Sequence, residues 1–386
     1  MRAPVSEHEL ITDLLGVEAI APEWERLAVA ASKPVAAAAW VLAWWRHVAP
    51  SDLQARVVVL RDRGELTGVA PFCLASNRRG VAEYRLMASD FGVCMEPLAL
   101  PGREWELAAA IASELSSTSP RAASVGFGPM PIASPWVAAL AESWRGPVRS
   151  LSRRTRIEPA PLVHLLEPGY EQWFATLSSK LRRDLRKCER LFEEAGGTTR
   201  WTDARTLRAD AESFARLHSS HWEGRGWSRL ADLGPRLPDW LEELGGKLLG
   251  ESRFGLCVLE VEGEPVCVDL SISAGEEVAG LNVGWDDSFA RMAPAKLAVL
   301  RVIADAYAKD VRRVGLGNGG LANKIRLANG DDPVAWTTVI PASPMAPLAY
   351  GMLLPRLLRI HARELAGRAL PEPWLERLKA LAARGA

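Results

Sequence analysis

The sequence predicts an α/β protein in the broad sense that includes α+β. It reads as two related domains in tandem, each a mixed, mostly antiparallel sheet flanked by helices. Three observations predict this. The chain has 386 residues, more than one ordinary domain needs. Apolar residues make up 48% and charged residues 24%, so each half can bury its own core. One order of elements (helix, hairpin, strand, helix, strand) is written twice along the chain.

The first copy opens with a helical pattern over 35–48, where Trp40 and Trp44 stand one turn apart. Two apolar runs follow between 57 and 74, broken at Arg63-Gly64-Glu65, which predicts a hairpin with a short glycine turn. A helix over 103–116 and the strand Val125-Gly126-Phe127-Gly128 complete it. The second copy runs through a helix over 238–249 and a hairpin over 255–273 around Glu262-Gly263-Glu264. It ends in a helix over 294–309 and the strand Val314-Gly315-Leu316-Gly317. Within the hairpins Leu60 answers Leu259, Gly64 answers Gly263, Glu65 answers Glu264 and Val69 answers Val268. The expected boundaries are an N-terminal domain over 1–160, a C-terminal domain over 161–341 and a helical amphipathic tail over 342–386.

Composition excludes several classes. Lys plus Arg and Asp plus Glu both number 47, so the molecule as a whole has no electrostatic footprint for nucleic acid. The cysteines Cys73, Cys94, Cys188, Cys257 and Cys267 form no CxxC or Cys/His spacing, so no metal is expected. Cys257 and Cys267 sit in apolar runs as small buried hydrophobes, which fits a reducing, cytoplasmic compartment. The first twenty residues alternate charged and apolar positions without a signal-peptide core. The uncharged run from Pro333 to Pro355 is interrupted by Pro341, Pro344 and Pro347, which argues against a membrane span. Fifteen tryptophans imply core packing, with some left to line an apolar pocket.

The stretch 161–340 resembles the acetyltransferase domain of the CelD-like family, and is similar in plan to the tandem-GNAT Fem peptidoglycan transferases. The residues that carry the resemblance come in order. Pro161-Leu162-Val163-His164-Leu165 leads to Tyr170-Glu171-Gln172-Trp173-Phe174, then to the basic run Ser179-Lys180-Leu181-Arg182-Arg183-Asp184-Leu185-Arg186-Lys187. The hairpin around Gly263 follows, then Val283-Gly284-Trp285-Asp286, and last Gly317-Asn318-Gly319-Gly320-Leu321-Ala322-Asn323-Lys324. The resemblance implies a GNAT fold whose sheet splays to admit an acyl-CoA, with the working site in the C-terminal half. It implies an acyltransferase with acyl-CoA as co-substrate and no other cofactor. It implies an acceptor among envelope sugars or amines. A lipid amine such as a sphingoid base, as in bacterial ceramide formation, is the specific case considered. An aminoacyl-tRNA-dependent Fem-type transferase and a non-catalytic binding scaffold are the rival readings.

Candidate site residues follow. In GNAT domains backbone N–H groups at a helix start hold the pyrophosphate, because the unpaired amides and the helix dipole attract an anion. The corresponding turn here is Arg291-Met292-Ala293-Pro294-Ala295-Lys296, with Pro294 suited to the first helical position. Leu281, Asn282 and Val283 on the preceding strand would offer the acyl carbonyl a backbone donor. His218 and His221 share a helical face, and either a proton-accepting or a structural role is open to them. Asp269 interrupts the apolar strand 266–272, where a carboxylate is costly unless it is paired or faces a cleft. Lys324 follows a Gly/Asn loop, as either a ligand contact or a surface lysine. The basic helix offers a surface for CoA phosphate, acyl carrier protein or lipid headgroups, or is simply solvated. In the tail, the apolar run 342–358 followed by Arg359, Arg363 and Arg368 suits either an interfacial segment at the inner membrane or a packed helix.

Overall fold

A computed structural model describes residues 7–78, 80–144, 149–223, 228–309 and 311–369. Its strands are β1 (Glu7–Ile11), β2 (Gln54–Asp62), β3 (Glu65–Arg78), β4 (Val81–Leu86), β5 (Leu98–Ala99), β6 (Ala122–Pro131), β7 (Leu151–Glu158), β8 (Pro161–His164), β9 (Gly197–Trp201), β10 (Phe254–Val261), β11 (Glu264–Ala274), β12 (Glu277–Trp285), β13 (Arg313–Gly315), β14 (Gly330–Asp331) and β15 (Val334–Ile340). They form two sheets. One has the order β1-β2-β3-β4-β6-β15-β7, with β5 beside β3; the other has the order β14-β8-β13-β12-β11-β10-β9.

The internal repeat is visible at the level of single backbone angles. The β2–β3 hairpin turns at Arg63 (φ 52°) and Gly64 (φ 85°), and the β10–β11 hairpin turns at Glu262 (φ 52°) and Gly263 (φ 84°). Both turns place two successive residues at positive φ, which matches the right-handed twist of the strands they join. Each hairpin also slips register at the equivalent position, after Leu60 in one and after Leu259 in the other. In each half the next strand pairs antiparallel with the hairpin. A helix (Glu104–Ser117 or Pro294–Ala308) then crosses to a parallel partner, giving the pairs β4–β6 and β12–β13.

One boundary differs from the sequence reading. The expected C-terminal domain over 161–341 includes β15, yet β15 lies in the N-terminal sheet, bonded to β6 on one side and β7 on the other. Its apolar, uncharged sequence says only that it is buried. The choice of sheet is settled by two strands that both precede the C-terminal half.

The halves are welded by equivalent helices, Ala38–His47 and Arg236–Leu248, which pack against each other. Trp40 and Trp240 meet edge to face at 5.1 Å, and Phe91 closes the cluster at 5.8 and 5.2 Å from them. One continuous core therefore spans both halves, and a second lies between the C-terminal sheet and the Pro294–Ala308 helix. Most of the tryptophan reading holds: Trp24, Trp40, Trp44, Trp173 and Trp240 are fully buried. The Ala346–Ala369 helix packs across β6, β15 and β7, and the rest of the tail, 370–386, lies outside the described residues.

Because Trp240 anchors the weld, Trp240→Ala is expected to cost about 3–5 kcal/mol. It should lower the denaturation midpoint of both halves in one transition. Trp240→Phe is expected to cost far less, since the indole Nε1 has no hydrogen-bond partner. Urea unfolding followed by far-ultraviolet circular dichroism checks both.

Candidate active site

The site begins where two strands part. β12 and β13 pair in parallel over only three positions, Glu277↔Arg313, Val278↔Val314 and Ala279↔Gly315. β13 ends there, while β12 continues to Trp285. At the point of parting the backbones nearly touch: a β-carbon on Gly280 would lie 2.7 Å from the Gly315 carbonyl oxygen. Two residues on, a register slip between β11 and β12 leaves Leu281 as an extra, bulged residue. A bulge twists and bends the strand that carries it, here at the mouth of the gap. In the N-terminal half β4 and β6 stay paired to Arg85, one residue before β4 ends.

A cavity of about 500 Å³ fills the opening. One wall is Gly280–Val283 of β12, another is Ala293–Lys296 at the start of the Pro294–Ala308 helix. Ala293 caps that helix in the left-handed region (φ 46°, ψ 53°), and Pro294 occupies the first turn, where a missing N–H costs nothing. No acidic residue stands in that turn, and Lys296 lines the cavity. The equivalent N-terminal helix carries Glu104 and Glu106 in its first turn, where they would repel an anion.

The predicted residues divide. Leu281, Asn282, Val283, Ala293, Pro294, Ala295 and Lys296 all line the cavity, as do His221, Asp269 and Lys324. Arg291 and Met292 do not: Arg291 is exposed, and Met292 packs against the second core. They belong to the short 3₁₀ turn Asp287–Met292 that precedes the cap, of which Ala290 lines the cavity. His218 is also outside the lining. It is 0% exposed, stacked on Phe214 at 5.3 Å, with Nδ1 3.3 Å from the Val283 carbonyl and Nε2 2.8 Å from the Ser228 hydroxyl. Burial holds its pKa below the usual histidine value, so it sits as a neutral strut between helix and β12. That contact is tight, since a β-carbon on Gly284 would lie 2.5 Å from the His218 nitrogen.

His221, one turn on, reaches the cleft. Its ring lies 5.0 Å from that of Trp285, and its Nδ1 is 3.5 Å from an Asp287 oxygen. The helix bearing both histidines, Leu207–Trp222, is pinned near its start by Arg200, which holds Asp210 through two bonds of 2.6 and 2.8 Å.

Asp269 and Lys324 are the electrostatic centre. Asp269 projects from β11 into the cavity and is only 5% exposed. Burial pushes its carboxyl from 3.8 up to about 7, against the pull of the Lys324 cation. Burial in turn lowers Lys324, against the pull of Asp269. Its ammonium donates to the Asn318 carbonyl at 3.4 Å. Among the described residues no cluster of histidine, cysteine and carboxylate is suited to a metal.

A second chamber of about 450 Å³ lies between the halves and shares Trp222, Gly280, Leu281, Asn282, Gly315 and Lys324 with the first. Its walls bring together Asp90, Arg156, Glu277, Arg313 and Trp336, residues the sequence reading did not single out. Asp90 comes from the 3₁₀ turn Ser89–Phe91 and the other four from both sheets, and no local pattern joins them. The one available signal was Glu277, a carboxylate that opens an otherwise apolar strand.

Comparison with known proteins agrees with this geometry. Residues 179–324 match the family described as Acetyltransferase (GNAT) domain. No curated protein matches the sequence. Among solved structures, FemX is similar over 89% of this chain and 99% of its own, at 10% identity and a TM-score of 0.60. The C-terminal domain (DUF2156) of a protein provisionally assigned as a lysylphosphatidylglycerol synthetase, from Agrobacterium fabrum, is similar over 87% and 95%, at 10% identity and 0.56. The structure of L-PGS from Bacillus licheniformis is similar over 89% and 96%, at 13% identity and 0.51. Residues 179–324 thus match a GNAT domain, and the chain as a whole shares the fold of these structures.

The buried carboxyl has a stability consequence. A carboxyl raised from 3.8 to about 7 imposes no cost below pH 3.8, a growing cost between the two values, and its full cost above pH 7. Asp269→Asn is therefore expected to stabilise the protein at pH 8, by on the order of a few kcal/mol, and to make little difference at pH 4. Thermal melts of both proteins across that range test the sign.

Proposed function

We propose that the C-terminal half transfers an acyl group from a thioester to an amine. The observation that carries this reading is the parting of β12 and β13 beside an acid-free helix start, with a near-neutral carboxyl inside the same cavity. The thioester, of CoA or of an acyl carrier protein, would run its arm along Leu281–Val283. Its phosphates would lie at the amides after Ala293, with Lys296 beside them. The amine would enter from the chamber between the halves, on the far side of Gly280 and Gly315.

The chemistry follows from the placement of charge. The Asp269 carboxylate takes a proton from the amine, whose nitrogen bonds to the thioester carbonyl carbon. Backbone donors along the bulged strand offset the negative charge on the carbonyl oxygen. The carbon–sulfur bond breaks, and the thiolate leaves and takes a proton. Lys324 keeps Asp269 ionised closer to neutral pH than burial alone would allow. His221 borders the same cavity as a second proton carrier.

The acceptor we favour is the amine of a lipid, such as a sphingoid base; an amino sugar of the cell envelope fits the same chemistry. The apolar walls supplied by Trp222, Phe91, Val93, Leu230 and Leu321 support an acceptor with an apolar body. A second reading keeps the fold and changes the donor to an aminoacyl-tRNA. It is favoured by the likeness to FemX and by the Ser179–Glu194 helix, which exposes Lys180, Arg183, Arg186, Lys187 and Arg190.

Mass spectrometry of ligands that co-purify with the protein, followed by titration with acyl-CoA, is the direct test. Failure to bind any CoA or carrier thioester, together with binding of charged tRNA, would sink the first reading in favour of the second. With a thioester substrate, kcat/KM is expected to rise with pH through about 7, as Asp269 ionises. Asp269→Asn should lower kcat by about 10²–10⁴-fold and flatten that rise. Lys324→Met removes the cation that holds the Asp269 carboxyl down, so the rise should move to higher pH. Thiol release measured from pH 5.5 to 9 reads all three.

A further inference from the structure

We infer that the face formed by the Ala346–Ala369 helix and the edge strand β7 docks on an anionic lipid bilayer. The inference rests on the transfer reading for its purpose, delivery of a lipidic acceptor, though its test does not.

The helix has two unlike sides. Ala349, Tyr350 and Leu353 pack with Val81, Ala123 and Ile340 into a small core. The opposite side exposes Leu348, Met352, Leu354 and Leu358, the last at 60%. Strand β7 continues this surface. Side chains alternate along a strand, so Leu151 and Arg153 share one face, and the extra residue Thr155 then puts Arg156 and Glu158 on that same face and Ile157 on the other. Leu151 is exposed, and the Arg153 guanidinium lies 5.6 Å above the Tyr350 ring, which places this face on the helix side. Of the thirteen large apolar side chains exposed among the described residues, five stand on this face: Leu151, Leu348, Met352, Leu354 and Leu358. Scattered exposed leucines need no partner, but a contiguous cluster marks a contact surface.

Charge selects the partner. Residues 342–360 contain Arg356 and Arg359, both exposed, and no Asp or Glu. On the same face β7 adds Arg153 and Arg156 against the single Glu158. In a chain with 47 residues of each sign this is a strong local excess of cations. Leucines interleaved with arginines suit an apolar layer under anionic headgroups. No described helix is long and apolar enough to cross a membrane, so the helix would lie along the surface.

The face also adjoins the site. Arg156 and Glu158, farther along the same face of β7, line the chamber between the halves together with Val334 and Trp336 of β15. The Arg156 guanidinium stacks on Trp336 at 4.5 Å. An amphiphile leaving the bilayer would therefore reach the chamber along one face of β7.

The full chain is mixed with vesicles of phosphatidylcholine, with and without about 30% phosphatidylglycerol, and floated on a density gradient with no donor or acceptor present. Binding is expected to the anionic vesicles only, and to weaken as salt rises. Arg356→Glu with Arg359→Glu should weaken it at least about tenfold. Leu354→Glu with Leu358→Glu should abolish it, with melting temperatures unchanged because all four side chains are exposed. Asp269→Asn should float as the parent does, which separates this result from the fate of the transfer chemistry. The inference is overturned if the full chain fails to float, whether because residues 370–386 or a second copy cover the face. Binding that both double variants retain overturns it too.

Discussion

The rest of the molecule depends on how short the parallel pairing between β12 and β13 is. Three residue pairs hold the strands together, and a glycine contact ends the ladder. Strands normally stay paired because an unpaired backbone buried from water loses its hydrogen bonds. Here β12 runs on for six more residues beside a cavity, and its far side stays bonded to β11. The gap is held open by what surrounds it. The Leu207–Trp222 helix is pressed onto β12 through His218 and Gly284. The Glu277–Arg313 ion pair, at 2.8 Å, ties the strands where they last meet.

That arrangement sets the electrostatics of the cavity. A carboxyl and an amine are buried near each other without forming a direct ion pair within 4 Å among the described residues. A close pair would have satisfied both charges and driven the two pKa values apart. Held apart, each is shifted towards neutrality, which suits a group that must gain and lose a proton near pH 7. The same burial opposes folding, and the large Trp40–Trp240–Phe91 weld is the kind of apolar packing that offsets such a cost.

Much of this was legible in the sequence, for identifiable reasons. The two hairpins could be read because their turns need positive φ at successive residues, which Arg63-Gly64 and Glu262-Gly263 announce. Asp269 stood out because a charge inside an apolar strand demands an explanation. Other features could not be read locally. The placement of β15 between β6 and β7 depends on strands over a hundred residues upstream. Helical spacing put His218 and His221 on one face, yet the strut and the cleft residue differ by the angle at which that face meets β12. Arg291 and Met292 were assigned to the cleft by position, but Arg291 is exposed outside the lining and Met292 packs against the second core. The inter-half chamber was invisible because its residues come from seven separated segments.

A duplicated fold with a single open gap also explains why the halves differ where they do. In the N-terminal half the equivalent pair β4–β6 remains zipped, and the helix start carries two glutamates. The two glutamates stand outside the buried core and leave it undisturbed. On the proposed reading one copy holds the donor, and the other lends its edge strands to a wall of the chamber. The exchange of β15 completes that division, since it carries Val334 and Trp336 from the C-terminal stretch into the N-terminal sheet, facing the shared chamber. Separating the halves would therefore remove one side of the chamber as well as the Trp240 weld. On the proposed reading, donor and acceptor meet only because neither half is a complete enzyme.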